Sequence, residues 1–556
     1  MSRNTPSRHR VLLFCAAFFV SSADAAERPN IVIVMADDLG YSDIGCYGGE
    51  IRTPHLDRLA AGGLRFTQFY NTARCCPTRA ALLTGLYPHK AGIGHMGAPL
   101  GTPAYQGYLR EDAVTLAEAL KPAGYRTLLA GKWHVGGDYD PRRADRWRSG
   151  EPGYPTPRQR GFDRFWGTLD GAGSFFAPHF VMRDDRRIEI TADGFYMTDA
   201  VTDAAIAMVE EAAAARSPFF LYLGHAAPHW PLHAHEDDIA RYETVYHQGW
   251  DYWRAARFEA MRALGVLNRS CQLSPRDAEA PAWSEVRQQD WEARRMAVYA
   301  AMVDRMDQQI GRLLAALERL ELTQDTLVLF LSDNGGCAEF MAEDGWAKWY
   351  PDRTLDGRPV IKGNRPELRA GAATTFMSYD LPWANLSNAP FRLYKHWVHE
   401  GGIATPLIVS WPGRVLGPRL SQEACHVVDI MPTLLEVAGA AYPKEHGGQP
   451  IQPLDGESLL PLFEGRDWTR GEPLFWEHEG NAAVRFGQWK LVRRHGRRWE
   501  LYDLSRDRSE LIDRAPREPG RSRHLARRYQ GWAETVGVED WDVLLPRLRA
   551  IWAGET

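Results

Sequence analysis

Ile31-Val32-Ile33-Val34-Met35 is an unbroken apolar, mostly β-branched run that halts at Ala36-Asp37-Asp38-Leu39-Gly40. With no polar position to turn toward water, it predicts a strand buried on both faces whose carboxyl end carries two carboxylates. Thr326-Leu327-Val328-Leu329-Phe330-Leu331 repeats the design and runs into Ser332-Asp333-Asn334-Gly335-Gly336. Two more strands are predicted over Tyr125 to Ala130, ahead of Gly131-Lys132-Trp133-His134, and over Phe219 to Leu223, ahead of His225 and Pro228-His229-Trp230-Pro231. Apolar residues at three- and four-residue spacing predict helices over Ala113 to Leu120 and Met296 to Leu320; in the second, Met302, Met306, Ile310, Leu313, Leu317 and Leu320 share a face. Strands alternating with helices predict a largely parallel sheet covered on both sides, with sites beyond the carboxyl ends of its strands.

The pattern loosens over Cys337 to Ala389, rich in Gly, Pro and Trp, where a lid or insertion is expected. Past about Arg470 it becomes short runs, Leu474 to Glu477, Ala483 to Arg493 and Arg498 to Leu504, split by turn residues and followed by a helical stretch, Arg521 to Thr535. This predicts an antiparallel meander. The expected division is therefore a large α/β domain over 27–468 and a small C-terminal α+β domain over 469–556.

Composition narrows the function. The 556 residues carry 66 Lys+Arg against 71 Asp+Glu, a formal charge of −5. Nucleic acid and anionic membranes both demand a concentrated basic excess, so neither is expected as a partner. Arg3, Arg8 and Arg10, an apolar run from Val11 to Val20 and the small residues Ala23-Asp24-Ala25 have the three-part layout of a secretory leader. Its apolar run is too short for a permanent span. Cleavage near Ala25 or Ala26 is expected, with 1–26 as signal peptide, no stable membrane association, and a periplasmic or secreted product. Leu12-Leu13-Phe14-Cys15 loosely suggests a lipidation box, but Phe14 stands where a small residue is needed. Six cysteines remain beyond the leader, Cys46, Cys75, Cys76, Cys271, Cys337 and Cys425, too few for a disulfide scaffold in so long a chain.

The most informative stretch is Cys75-Cys76-Pro77-Thr78-Arg79-Ala80-Ala81-Leu82-Leu83-Thr84-Gly85. Pro77 suits a first helical turn, which places Cys75 at a helix N-terminus, where backbone N–H groups favour an anion. On physics alone, a cysteine pair packed at a helix start is an equal reading. Cys75-x-Pro77-x-Arg79 followed by Leu82-Leu83-Thr84-Gly85, however, resembles the signature of type I sulfatases, whose cysteine is oxidised after translation to formylglycine. The likeness continues through Asp37-Asp38, Gly131-Lys132-Trp133-His134, Ala227-Pro228-His229-Trp230-Pro231-Leu232, Ser332-Asp333-Asn334-Gly335, Arg392-Leu393-Tyr394-Lys395 and Glu400-Gly401-Gly402-Ile403. It covers nearly the whole mature chain, and the blocks around His229 and Lys395 look closest to bacterial arylsulfatases.

The resemblance implies an alkaline-phosphatase-like α/β fold: a large mixed, mostly parallel sheet sandwiched by helices, plus the small C-terminal domain with its antiparallel sheet. It implies hydrolysis of sulfate monoesters, aryl or also alkyl or carbohydrate, and maturation by a formylglycine-generating enzyme. Asp37, Asp38, Asp333 and Asn334 offer only oxygen and, with residue 75, are expected to hold one Ca²⁺ rather than Zn²⁺. Taken singly, an Asp after a strand is commonly a cap or turn former; two such strand ends flanking the signature favour metal. Arg79, Lys132 and Lys395 are expected to supply positive charge, and His134 and His229 to move protons. His89, His95, His225, His233 and His235 lie beside the matched motifs and are expected to be structural or substrate-side.

In the implied mechanism, one hydroxyl of hydrated formylglycine, deprotonated with help from Asp333 and the metal, attacks sulfur. Lys395 or His229 protonates the leaving oxygen. The second hydroxyl, deprotonated by His134, collapses to the aldehyde and frees sulfate. The rival enzymatic reading is a phosphodiester or phosphonate monoester hydrolase of the same fold. A non-catalytic sulfate-ester binding protein is expected if Cys75 stays unoxidised. Specificity is expected from Cys337 to Ala389 and from Tyr242 to Pro281, where Trp250, Tyr252 and Trp253 either line an aryl cleft or, by about two to one, pack.

Overall fold

The computed structural model describes Met1, residues 28–137, Tyr139, and residues 148–191 and 194–553. The leader sequence after Met1, with its cleavage site, lies outside the described residues. The principal strands are β1 (Asn30–Ala36), β2 (Leu64–Tyr70), β3 (Arg126–Lys132), β4 (Arg164–Thr168), β5 (Val181–Arg183), β6 (Arg186–Ile188), β7 (Phe219–Gly224), β8 (Thr326–Ser332), β9 (Ala404–Ser410), β10 (Arg419–Ser421) and β11 (Cys425–His426). They form one sheet in the order β10-β2-β9-β8-β1-β7-β3-β4-β5-β6, with β11 also on β2. The central run β8-β1-β7-β3-β4 is parallel. β9 runs antiparallel between β2 and β8, so the sheet is mixed as expected.

Alternate residues of β1 enter two different cores. Val32, Val34 and Ala36 join one face, Ile31, Ile33 and Met35 the other. This is why the strand has no polar position after Asn30: the period-two alternation has apolar neighbours on both sides. On the first face the long helix Gln289–Arg319 packs against Met197–Ala214. It begins seven residues before the predicted start because the first two turns bury little and carry no strong apolar period. The helix predicted over Ala113 to Leu120 is shorter, Leu116–Leu120; Thr115 accepts from the Glu118 N–H and Glu118 accepts from the Thr115 N–H, a reciprocal cap that fixes its start.

The C-terminal meander is a four-stranded antiparallel sheet, Leu474–His478, Asn481–Phe486, Trp489–Arg493 and Glu500–Asp503. The run Ala483 to Arg493, read as continuous, is two strands, because Gly487 turns the chain at φ +57°. The helix Pro519–Val536 covers this sheet through Leu525, Tyr529 and Ala533. A further helix, Trp541–Ala553, was not predicted. Nor is Cys337 to Ala389 wholly irregular: it holds a short parallel pair, Ile361–Lys362 with Thr375–Phe376, and the helix Asp380–Ser387.

Candidate active site

β1 and β8 pair with Ala36 opposite Ser332. Asp37 and Asp38 therefore leave the sheet beside Asp333 and Asn334, and all four are buried. Asp38 adopts φ +66°, a left-handed conformation that costs an L residue of order 1 kcal/mol or more and needs its surroundings to hold it. Its N–H donates to Asp333 Oδ1 at 3.2 Å, and Asn334 Nδ2 donates to its Oδ1 at 2.6 Å. Close backbone approach completes the corner: a Cβ on Gly335 would lie 1.9 Å from the Gly401 carbonyl oxygen.

Three cations face these carboxylates. Arg79 donates through Nε and Nη2 to Asp333 Oδ2 (3.1 and 2.7 Å) and through Nη1 to the Tyr222 hydroxyl at 2.9 Å. Lys132 donates to Asp37 Oδ2. Lys395 Nζ lies 2.9 and 3.0 Å from the two oxygens of Asp38. Burial and the neighbouring Asp37 push the Asp333 carboxyl up to about 7, against the pull of Arg79 and Lys132.

Even with these donors, Asp37 Oδ1 and Asn334 Oδ1 are buried and receive no hydrogen bond. The orientation of Asn334 is fixed, since its Nδ2 serves both Asp38 Oδ1 and the Gly335 carbonyl, which turns Oδ1 away from them. A buried acceptor without a donor costs about 1–3 kcal/mol. Two at adjacent strand ends, in an all-oxygen set with three carboxylates, fit a hard divalent cation.

Cys75 is the first residue of the buried helix Cys75–Thr84. Donation from the Cys76 thiol, opposed by burial and helped by Lys132 and His134, holds the Cys75 thiol well below its usual range. His134, at φ +57°, brings a ring nitrogen within 4.8 Å of both sulfurs, and burial keeps it toward the neutral form. His229 Nδ1 contacts the Trp230 carbonyl at 2.7 Å, which can only accept, so the proton sits on Nδ1. Nε2 is then a free lone pair, and Lys395 Nζ donates to it at 3.2 Å. Burial pushes this imidazole down to about 4, so it is neutral near pH 7.

Cys75, His134, His229 and Lys395 open onto one cavity of about 560 Å³, with Arg79, Lys132 and the carboxylates behind them. The structure thus brings together all ten predicted site residues. Of the three aromatics read as cleft lining or packing, Trp250 packs edge-on against Trp283 and Trp383, in keeping with the favoured reading, and neither it nor Tyr252 or Trp253 reaches the cavity. The Cys337 segment does, through Cys337, Ala338, Glu339, Trp349 and Tyr350. His95 lines the cavity too, whereas His233 is tied to the Thr375 carbonyl and His89 to Glu477.

The sequence reading missed several residues. Tyr222 holds Arg79, and a lone tyrosine in an otherwise apolar buried strand was its available signal. Glu339 pairs with Arg74 at 3.0 Å and accepts from Trp230 Nε1 at 2.9 Å; burial would raise its carboxyl, but Lys395 and Arg74 hold it well below the usual range. Glu479, from the turn after Leu474–His478, accepts from His95 at 2.9 Å on the cavity wall. Nothing in its local sequence marks it. All six cysteines beyond the leader are free thiols, and all are buried.

Comparison with known proteins agrees with this geometry. The Sulfatase family matches residues 29–440, and a family described as N-sulphoglucosamine sulphohydrolase, C-terminal, matches 391–518. The chain is 34% identical to an arylsulfatase of Klebsiella aerogenes over 80% of this chain and 94% of that one. It is 33% identical to an uncharacterized sulfatase of Schizosaccharomyces pombe, covering 89% and 91%. Among solved structures, Ps i-CgsB in complex with k-i-k-neocarrahexaose superposes with a TM-score of 0.64 at 25% identity, covering 91% of this chain and 93% of that one. A phosphonate monoester hydrolase of Agrobacterium radiobacter shares the fold alone, with a TM-score of 0.56 at 20% identity and coverage of 92% and 96%. A strand-end carboxylate cluster facing a cysteine-headed helix, inside a match that spans most of the chain, places this protein in the sulfatase family, as a sulfuric ester hydrolase.

Proposed function

We infer that the chain hydrolyses sulfate monoesters with aryl leaving groups, through formylglycine formed from Cys75 and with one Ca²⁺ beside it. The observation that carries this reading is the pair of undonated acceptors, Asp37 Oδ1 and Asn334 Oδ1, at the strand ends whose other oxygens face Arg79, Lys132 and Lys395. Asp37, Asp38, Asp333, Asn334 and residue 75 would hold the ion, which supplies charge to balance the sulfate and polarise the oxygen at position 75. Hydrated formylglycine supplies two hydroxyls on one carbon, so that sulfate can be released without water attacking sulfur.

The chain's own side chains do the rest. Arg79 and Lys132 hold positive charge against the carboxylates and stabilise the sulfuryl oxygens. Asp333, close enough to residue 75 to interact with it electrostatically, accepts a proton from it. Lys395 is oriented by Asp38 and by the His229 lone pair, and donates toward the departing oxygen. His134, neutral and beside residue 75, accepts the second proton.

Residues 1–26 are read as a cleaved leader to the periplasm or exterior, with a formylglycine-generating enzyme acting on Cys75, and 469–556 as the small C-terminal domain. No helix among the described residues is long and apolar enough to cross a membrane. The test pairs two measurements. An aryl sulfate should turn over far faster than a phosphate diester of the same phenol. The peptide containing residue 75 should show the mass loss of thiol-to-aldehyde conversion, with Cys76 intact; fully active protein with a thiol at 75 contradicts the mechanism.

A further inference from the structure

The helix Trp541–Ala553 lies outside both family matches, which end at residues 440 and 518. It is nevertheless anchored. Trp541, Leu544 and Leu548 are buried against Ala98, Leu100, Ala104 and Tyr105, and Arg547 donates to the Leu100 carbonyl at 2.8 Å. Leu548, Ile551 and Trp552 stand at i, i+3 and i+4, so they share a face. That face lines the cavity that opens on Cys75 and Lys395. Trp552 remains 38% exposed and Ile551 half-buried, an apolar surface turned to the cavity. Trp349 and Tyr350 also line the cavity, which extends the apolar lining beyond the helix.

Among the described residues, the acidic, basic and imidazole groups around this wall are three carboxylates, two cations and the histidines His95, His134, His229 and His396. Arg74 is paired with Glu339, Lys395 with Asp38, Glu479 with His95 and His396, and Asp170 with His179. A single sulfate reaches the cations at the floor, and an apolar body meets the helix.

We propose that this C-terminal helix is a specificity element, and that Leu548, Ile551 and Trp552 select sulfate esters whose organic part is a bulky apolar ring system. The proposal rests on the sulfate-ester reading of the same site and names the substrate class that site accepts. An apolar body covering this face loses water from both surfaces, which favours larger rings over small ones. The wall is preformed, so little ordering is needed on binding.

The test uses the full chain and a ligand without a scissile bond. Binding of pyrenesulfonate, benzenesulfonate and a glucosamine disulfate is measured by calorimetry for the wild type, Trp552→Ala and Ile551→Gln. Both substitutions lie on the cavity side of the helix, leaving its buried anchors in place. The wild type is expected to bind pyrenesulfonate at least tenfold more tightly than benzenesulfonate, and the disulfate most weakly. Each variant should lose about tenfold for pyrenesulfonate and less than twofold for benzenesulfonate, the size of effect a few apolar contacts give. Equal losses on both sulfonates, no loss on either, or preferred binding of the disulfate overturns the proposal. Hydrolysis of 4-nitrophenyl sulfate by the same wild-type sample reports separately on the sulfate-ester reading, because the sulfonate affinities require no turnover.

Discussion

Two clusters of buried charge lie a few residues apart after β1, and they differ in how completely their acceptors are used. In one, Arg257 donates to Asp43 Oδ1 at 2.6 Å and to both oxygens of Glu50 at 2.7 Å. Asp43 Oδ2 takes the Tyr299 hydroxyl and the Gly40 N–H, and Glu50 takes the Tyr246 hydroxyl. Every carboxylate oxygen there has a donor. In the other, Arg79, Lys132 and Lys395 serve Asp37, Asp38 and Asp333, yet Asp37 Oδ1 and Asn334 Oδ1 have none. Buried charge is common to both, so burial does not mark a site. What sets the second cluster apart is that two unspent acceptors converge at adjacent strand ends, where a bound cation would repay their desolvation.

The sharpest way to break this comparison is to delete one member from each cluster. Asp37→Ala or Asn334→Ala should abolish metal binding and lower kcat by about a thousandfold or more, and Asn334→Ala, which removes no charge, should do so with little change in melting temperature without metal. Arg257→Met should do the reverse. It strands two buried carboxylates and should cost about 3–5 kcal/mol of stability, read by denaturant or thermal unfolding, while the folded fraction still binds metal. If Arg257→Met lost metal as completely as Asp37→Ala, the distinction between closed and open clusters would fail.

Smaller effects sharpen the roles inside the open cluster. Lys395→Ala should slow an unactivated alkyl or phenyl sulfate by about a hundredfold or more and 4-nitrophenyl sulfate far less, since protonation matters in proportion to charge on the departing oxygen. Equal slowing of both removes Lys395 as proton donor. His134→Ala should release phenol in a stoichiometric burst and then stall, because its proton is needed only after the leaving group has gone; a slowed burst contradicts that order. Smallest of all, Trp250→Phe should leave KM for aryl sulfates within about twofold, as expected of a packing residue.

The strand ends were legible because a fully buried parallel strand must read as unbroken apolar sequence, and what interrupts it at Asp37 and Asp333 is then conspicuous. The motif around Cys75 was legible through its resemblance to the sulfatase signature, since its proline alone left a packed cysteine pair an equal reading. Pairing β1 with β8 was not written locally, yet both strands ended in the same chemistry, which anticipated their adjacency. Glu339 and Glu479 were illegible for a physical reason. Each acts through partners far along the chain, Arg74 and Trp230 for one and His95 for the other, and no short-range pattern records such contacts. Trp541–Ala553 was missed because Pro546 and mixed polarity blur its period, and its burial depends on residues near Leu100. Trp250 bears out its favoured reading as a packing residue, although its partners, Trp283 and Trp383, lie elsewhere in the chain.

The undonated oxygens of Asp37 and Asn334 are expected to hold a divalent cation beside residue 75. Calcium titration by calorimetry of chelator-treated protein, wild type and Asn334→Ala in parallel, tests it directly. One calcium per wild-type chain, and none in a variant that melts at the same temperature without metal, is the predicted result. Undiminished binding by Asn334→Ala, or a wild type that takes up no calcium, would contradict it.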